Sequence, residues 1–589
     1  MKAIIVAAAM GVLTLPTTRV ASADSDGWIG TSGGNWTDGT QWSSGLPPAG
    51  GQDVLVTNAF GGTQTITFDS GAGLTYSSLT VSATGGGTNV FLVGANSFNV
   101  SGGEYVGDSG ISSNGTGVFV QSGGSNSVLG TAGLNVGVNA SDLGSYAFSG
   151  GNLSSGVSEV IGVAGIGNFS QSGGTNALSV NGSLNLGFSA GATGNYTLSG
   201  GTLSASAGAV EYIGYNGVGN FNQTGGLHPV TGQGFNYIYL GYNSGATGTY
   251  TLGPGAVLST NPGAYLNENV GYNGVGIFNQ SGGTNTFDNL YLAVNYHSTG
   301  TYTLGDNAFL SAGQEIIGSR GIGAFNQAGG TNSTRSIGLG GLSGTYTLSG
   351  TGNLNIGPYG SENIGGGNGN FIQTGGVQTL TTSAIYLGQY SNGTSRFNQS
   401  GGTNSLVAST LYLGFGAGST ASYSLGAGAS LIATGISYSN SYEYIGDSGI
   451  GNFNQTGGTN SLNSFDGAIY VGYNIGSTGN YLLSGGSLQF TGGGAEYIGR
   501  FGVGNFNQTG GTNLLSGTRL MIENGTYTLG AGASLTVTQA FPDDPGIELI
   551  AGQAAFYQTG GANTTVNADL DIGTSGTGTY DLTARGETP

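Results

Sequence analysis

The chain has no cysteine, a single lysine at Lys2, only two histidines, and few charges: 6% of its 589 residues are Asp, Glu, Lys or Arg. Without a thiol there is neither a disulfide framework nor a thiol-linked lipid anchor. His228 and His297 lie in different repeats, and two isolated histidines with no cysteine do not make a conventional metal site. Beyond residue 23, six arginines stand against 27 acidic residues. That balance repels a phosphate backbone and an anionic membrane surface, so neither nucleic acid nor lipid headgroups are the expected partners. Helical periodicity is absent, and Gly-Gly-x-Gly-x-Asp nonapeptides of a calcium-loaded roll do not occur in series. Low charge with 125 glycines fits disorder, but 37% of the residues are apolar and alternate with polar ones, which supplies a core to bury.

What the chain has is repetition. Phe-x-Gln-x-Gly-Gly occurs ten times, beginning at Phe119, Phe169, Phe221, Phe278, Phe325, Phe371, Phe397, Phe453, Phe506 and Phe556. Roughly midway between these copies runs a Tyr-x-Leu motif or close variant, from Tyr146 through Tyr250 and Tyr302 to Tyr580. Interleaved, the two sets give units of about 25 residues, a period that belongs to solenoids. Within a unit, short alternating stretches such as Tyr196-Thr197-Leu198-Ser199 are separated by Gly- and Asn-rich corners, the pattern of four- to six-residue strands joined by tight turns. The expected fold is all-β: a single-stranded right-handed parallel β-helix (β-solenoid) of about 19 or more coils of roughly 25 residues. The domain reading is residues 1–23 secretory signal peptide, 24–50 Trp-rich N-terminal cap, 51–118 irregular leading coils, and 119–589 regular repeats. The signal rests on Lys2, an apolar run too short to span a bilayer, and Ala21-Ser22-Ala23 at the cleavage position. Trp28, Trp36 and Trp42 are expected to plug the open end of the core, with carbohydrate stacking as their alternative role.

Alternation places Phe221 and Gln223 on the inner face, so an amide stands where the sister coil has a leucine. In the same class of coil a glutamate precedes the Ile-Gly step: Glu104, Glu159, Glu211, Glu268, Glu315, Glu362, Glu443, Glu496 and Glu548, where sister coils carry Leu or Ile. A buried carboxylate without a partner is costly. The coincidence therefore predicts a structural ladder in which each Glu bonds the Gln about twelve residues on, or nearby backbone amides: Glu211 with Gln223, Glu268 with Gln280, Glu315 with Gln327, Glu443 with Gln455, and Glu496 with Gln508.

On the outer face, Tyr386, Tyr412, Tyr444, Tyr470 and Tyr497 recur in five successive coils. They predict a tyrosine stripe, read either as a candidate glycan contact or as a ladder stacked on itself. No catalytic residue, metal site or cofactor is assigned. The best local carboxylate cluster, Pro542-Asp543-Asp544-Pro545 with Glu548, has the form of a solvated loop.

The spacing Trp28-x7-Trp36-x5-Trp42, followed by units such as Tyr212-Ile213-Gly214-x4-Gly219-Asn220-Phe221-Asn222-Gln223-Thr224-Gly225-Gly226, resembles the β-helix repeats shared by autotransporter (type V secretion) passengers and bacterial proteins with a PEP-CTERM sorting tail. The resemblance covers nearly all of the mature chain. It implies a bacterial, secreted or surface-exposed β-helix with an adhesive or matrix role, and it carries over no catalytic residue. Neither the translocator barrel nor the sorting tail of those proteins is visible in the sequence, which leaves the mode of attachment open. The expectation is thus a structural or adhesive module of the cell surface or extracellular space, with no membrane span after signal cleavage. Its expected partners are cell-surface glycans or matrix polysaccharide, together with end-to-end or lateral self-association. The alternative is a polysaccharide-binding or polysaccharide-degrading lyase or glycosidase on the same fold.

Overall fold

The computed structural model describes residues 24–59, 61–110, 114–390, 393–436, 439–539, 545–550, 553–574 and 578–583. The expected signal segment and the Asp543-Asp544 loop lie outside the described residues. The described chain is a parallel β-solenoid of about 21 turns with some 26 residues in each. Apart from a three-residue 3-10 turn at Gly39–Gln41, its regular structure is strand.

One coil shows why. Thr247–Leu252, Val257–Thr260 and Ala264–Val270 are its three strands, and each pairs in parallel with its counterpart one turn before and one turn after. Thr247-Gly248-Thr249-Tyr250-Thr251-Leu252 alternates half-buried with buried positions, so Tyr250 and Leu252 enter the core and the threonines face out. Glycine makes the corners possible. Gly214 holds φ +78°, and a Cβ on it would lie 2.2 Å from the Thr247 carbonyl oxygen of the next turn. Only glycine takes that conformation and that approach without strain. From Thr284 on, several coils fuse the second and third strands into one bent strand, as in Thr284–Leu292.

Register fixes the core. Phe221, Tyr250, Phe278 and Tyr302 are direct partners across successive turns, and the Phe and Tyr of all the motifs form one column of stacked rings from Phe119 to Tyr580. Neighbouring centroids are 4.5–5.1 Å apart and neighbouring planes within 17° of parallel. At the strand spacing of a β-sheet, about 21 such turns make a rod about 100 Å long.

The N-terminal end is closed by the tryptophans. Trp28, Trp36 and Trp42 are all buried, with Trp42 edge-on to both others at 5.1 and 4.8 Å. The Trp42 indole donates to the Trp36 carbonyl at 2.8 Å. With no exposed face, these rings cover the first coil of the core and offer nothing for a sugar to stack on.

Candidate functional site

Two arrays concentrate the polar and aromatic side chains: a buried polar column inside the rod and a tyrosine flank outside it.

The inner column is built from the coils that carry Phe. In each but the last, a Gln two residues after the Phe points inward and its Nε2 donates to a backbone carbonyl of the next turn; Gln280 donates to Phe309 at 3.0 Å, whereas Gln558 donates to Gly561. Its Oε1 accepts the hydroxyl of the Tyr stacked on the following turn: Tyr250 to Gln223 at 2.6 Å, Tyr302 to Gln280 at 2.6 Å, Tyr346 to Gln327 at 2.5 Å, Tyr481 to Gln455 at 2.6 Å, and Tyr527 to Gln508 at 2.5 Å. Phe and Tyr alternate for this reason. A Tyr is placed over every motif Gln except Gln373, and a Phe over the Leu, or once Phe148, of the sister coil, so each of these Tyr hydroxyls meets an acceptor.

The glutamates are buried as expected, but their partner differs from the sequence reading. In place of Glu211 with Gln223, Glu268 with Gln280, Glu315 with Gln327, Glu443 with Gln455 and Glu496 with Gln508, each Glu meets the inward residue of the second strand, in most coils seventeen residues on. Asparagine Nδ2 donates to Glu Oε2 at 2.9–3.2 Å in Glu104–Asn126, Glu159–Asn176, Glu268–Asn285, Glu315–Asn332, Glu443–Asn460 and Glu496–Asn513. Gln378 takes the place of Asn beside Glu362. The reason is donor supply: the Gln amide is already committed to main-chain carbonyls, whereas the Asn amide lies free across the core from the Glu. The same Nδ2 also reaches the Tyr hydroxyl, as Asn285 to Tyr302 at 3.2 Å, and joins Glu, Asn, Tyr and Gln into one relay across two turns.

Glu548 is a further correction. The register pairs Ile547, not Glu548, with the inward Leu520. Glu548 therefore faces outward and accepts from the Thr574 hydroxyl at 3.1 Å.

Burial pushes the carboxyls of Glu104, Glu268, Glu315, Glu362 and Glu496 up to about 8, and those of Glu159 and Glu443 up to about 7, against the lowering effect of the amide donors. In all seven pairs the other carboxyl oxygen, Oε1, is buried without a partner, and so is the amide oxygen opposite. At Glu211 the amide is replaced by His228. His228 Nε2 lies 2.7 Å from Glu211 Oε1, and Nδ1 lies 3.2 Å from the Tyr250 hydroxyl. His228 is the inward residue of a strand and fully buried.

The outer array is the tyrosine stripe. Tyr386, Tyr412, Tyr444, Tyr470 and Tyr497 stack at 4.9–5.1 Å with planes within 9° of parallel. Phe415 packs edge-on to Tyr386 and Tyr412, and Tyr473 to Tyr444 and Tyr470. The Arg500 guanidinium covers the last ring, 4.9 Å from the Tyr497 centroid. Ring faces inside the stripe are thus taken by one another, and each ring presents its edge and hydroxyl to solvent. Partial burial raises the Tyr412 and Tyr444 phenols and pushes Tyr470 up to about 12, so these three stay protonated donors at neutral pH. A second patch, Tyr212 and Tyr239 beside the stack of Tyr215, Tyr242 and Tyr272, lies on the same column. Asn269, Ile316, Gly338 and Asn363 interrupt that column between the two patches.

Among the described residues, no group of three or more His, Cys, Asp or Glu side chains could hold a metal ion, and no helix is long and apolar enough to cross a membrane. An open depression of about 630 Å³ is lined by Asp306, Phe309, Thr331, Thr351 and Asn353. It holds a single carboxylate, Asp306, whose Oδ1 accepts from the Thr351 hydroxyl at 3.0 Å. No protein-family model, curated protein or solved structure matches the chain.

Proposed function

We propose that the chain is a secreted or surface-exposed structural rod, a rigid spacer without catalysis that contacts matrix or cell-surface polysaccharide along its side. The observation that carries this reading is the continuity of the core: one ring per turn stacks without a break from Phe119 to Tyr580. Such a column gives length and stiffness, the properties of a spacer. The resemblance of the repeats to those of autotransporter passengers and PEP-CTERM proteins supports placement outside the cell. Polysaccharide-cleaving chemistry calls for paired carboxylates, or basic residues beside a bound cation, in a groove. The depression at Asp306 offers one carboxylate.

The tyrosine stripe favours a contact role as the second element of this reading. Because its ring faces are stacked on each other, contact with a glycan runs through the row of phenol hydroxyls and the neighbouring polar ladders. The test is to incubate residues 24–589 with a panel of bacterial, plant and animal polysaccharides, recording bound protein and newly released chain ends. Retention without new chain ends, weakened by Tyr444→Ala and Tyr470→Ala in protein of unchanged circular dichroism, is the expected result. New chain ends would replace the spacer with an enzyme. Neither retention nor cleavage would leave the spacer and remove its polysaccharide partner.

A further inference from the structure

Seven of the eight buried glutamates present an inventory problem that has one chemical solution. Each pair consists of a carboxyl and a carboxamide facing one another. One carboxyl oxygen accepts the amide N–H, and the two remaining oxygens, Glu Oε1 and the amide oxygen, are both buried and both without a partner. Two acceptors left over on the same pair lack one hydrogen. An ionised carboxylate would leave both lone pairs unsatisfied and bury a charge, which costs several kcal/mol unless a cation is near.

No cation is near. The groups facing Glu268 are Asn285 on the strand Thr284–Leu292 that follows it, Ile238 and Leu290 before and after it in its column, and the tyrosines Tyr250 and Tyr302, with Glu211 as the closest further carboxyl. The other six are set alike, each between aliphatic residues of the sister coils and beside their tyrosines, with the next carboxyl at least two turns away. The described arginines, Arg320, Arg335, Arg396, Arg500 and Arg519, are all exposed or half-exposed on the outside of the rod.

We propose that these seven pairs are proton-binding sites: each Glu carries a hydrogen on Oε1 and donates it to the facing amide oxygen, closing a cyclic acid–amide pair with two antiparallel hydrogen bonds. The eighth site differs in that Glu211 Oε2 stays buried without a partner, but its hydrogens can be counted in the same way. The Tyr250 hydroxyl donates to Gln223, so His228 Nδ1–H must donate to the Tyr250 oxygen. One further hydrogen then lies between His228 Nε2 and Glu211 Oε1, and the site is neutral overall whichever atom holds it. The upward displacement of the carboxyls reported above points the same way.

The consequence is a rod that takes up protons when it folds. Unfolded glutamates ionise near 4.5, and the folded ones near 7 to 8. A raised folded value contributes stability that is fully present below the unfolded value and is lost as pH rises through the folded one. Each Glu in the unit that unfolds should therefore raise the unfolding constant up to about tenfold per pH unit across that window. The rod is firmest in acid and loosens in mildly alkaline medium.

Infrared spectroscopy and proton release test this on the whole chain. At about pH 6, where exposed carboxyls are ionised, the folded protein should show the carbonyl band of protonated carboxylic acids. Unfolding in weakly buffered denaturant at that pH should abolish the band and release about seven protons. Glu268→Gln and Glu443→Gln, which place an N–H where the acid O–H stood, should each keep the fold and lower the release by one. A folded protein with carboxylate bands alone, or a release near zero, would overturn the proposal. So would Gln variants that stay folded and leave the count unchanged.

Discussion

Phe371 and Phe397 stack at 4.5 Å with planes 15° apart, the one step in the Phe/Tyr column where Phe follows Phe. At every other step a Tyr covers each Gln and supplies its hydroxyl. Here Gln373 Oε1 is buried without a partner. The same slip is seen across the core, where Ile385 and Leu411 follow one another in a column that otherwise alternates Glu with an aliphatic residue from Glu104 to Leu520. Asn404 keeps its place beside Tyr423 but has no Glu to meet, and its Oδ1 is likewise unpartnered. The two-coil unit has dropped one coil at this point.

Phe397→Tyr should repair the slip. The added hydroxyl falls where Tyr302 or Tyr346 place theirs, within reach of Gln373 Oε1, and a buried hydrogen bond gained there is worth about 1 kcal/mol. The denaturant midpoint should rise. A fall would mean that the ring position cannot accept the hydroxyl.

The converse change is Phe278→Tyr, which aims a hydroxyl at Leu252 on the preceding turn. An unpartnered buried hydroxyl should cost about 1–3 kcal/mol, so the midpoint should drop although Tyr is the residue on either side. An unchanged midpoint would deny that Phe and Tyr positions are distinguished by the residue beneath them.

His228→Asn restores the residue that the other sites use and should change stability at about pH 6 by less than about 1 kcal/mol. His228→Leu removes both polar contacts and leaves the Glu211 carboxyl and the Tyr250 oxygen facing a hydrocarbon, for a loss of about 2–5 kcal/mol. Equal effects of the two substitutions, read from chemical denaturation, would remove His228 from the polar column.

Much of the architecture was legible because the signal is strictly periodic. The Phe and Tyr motifs set the coil length, and alternation along Tyr196-Thr197-Leu198 assigned inside and outside correctly. The glutamates Glu211, Glu268 and Glu496 were recognisable as inward because Leu or Ile fills their place in sister coils. Their partner was missed, although the signal was present: the Gly-Gly-Thr-Asn that follows six of the ten Gln alternates with Leu203, Leu258 and Leu310 in the same manner. Sequence proximity favoured the Gln, while the turn of the coil brings the second strand to face the third. Glu548 was misread because one residue of register decides which face a strand residue takes. The stripe from Tyr386 to Tyr497 was visible as a column, but only ring geometry shows that its faces are covered.

The central claim is that the Tyr hydroxyl and the Gln carbonyl lock each pair of turns together, and a double-mutant cycle on Tyr302 and Gln280 tests it most directly. Tyr302→Phe leaves Gln280 Oε1 unpartnered, and Gln280→Leu leaves the Tyr302 hydroxyl without its acceptor 2.6 Å away; each should cost about 1–3 kcal/mol. The double variant rebuilds the Leu-under-Phe step already present at Leu252 and Phe278, so its loss should fall short of the sum of the two by at least about 1 kcal/mol. Losses that add to within about 0.5 kcal/mol would show that the two side chains act independently and would contradict the account.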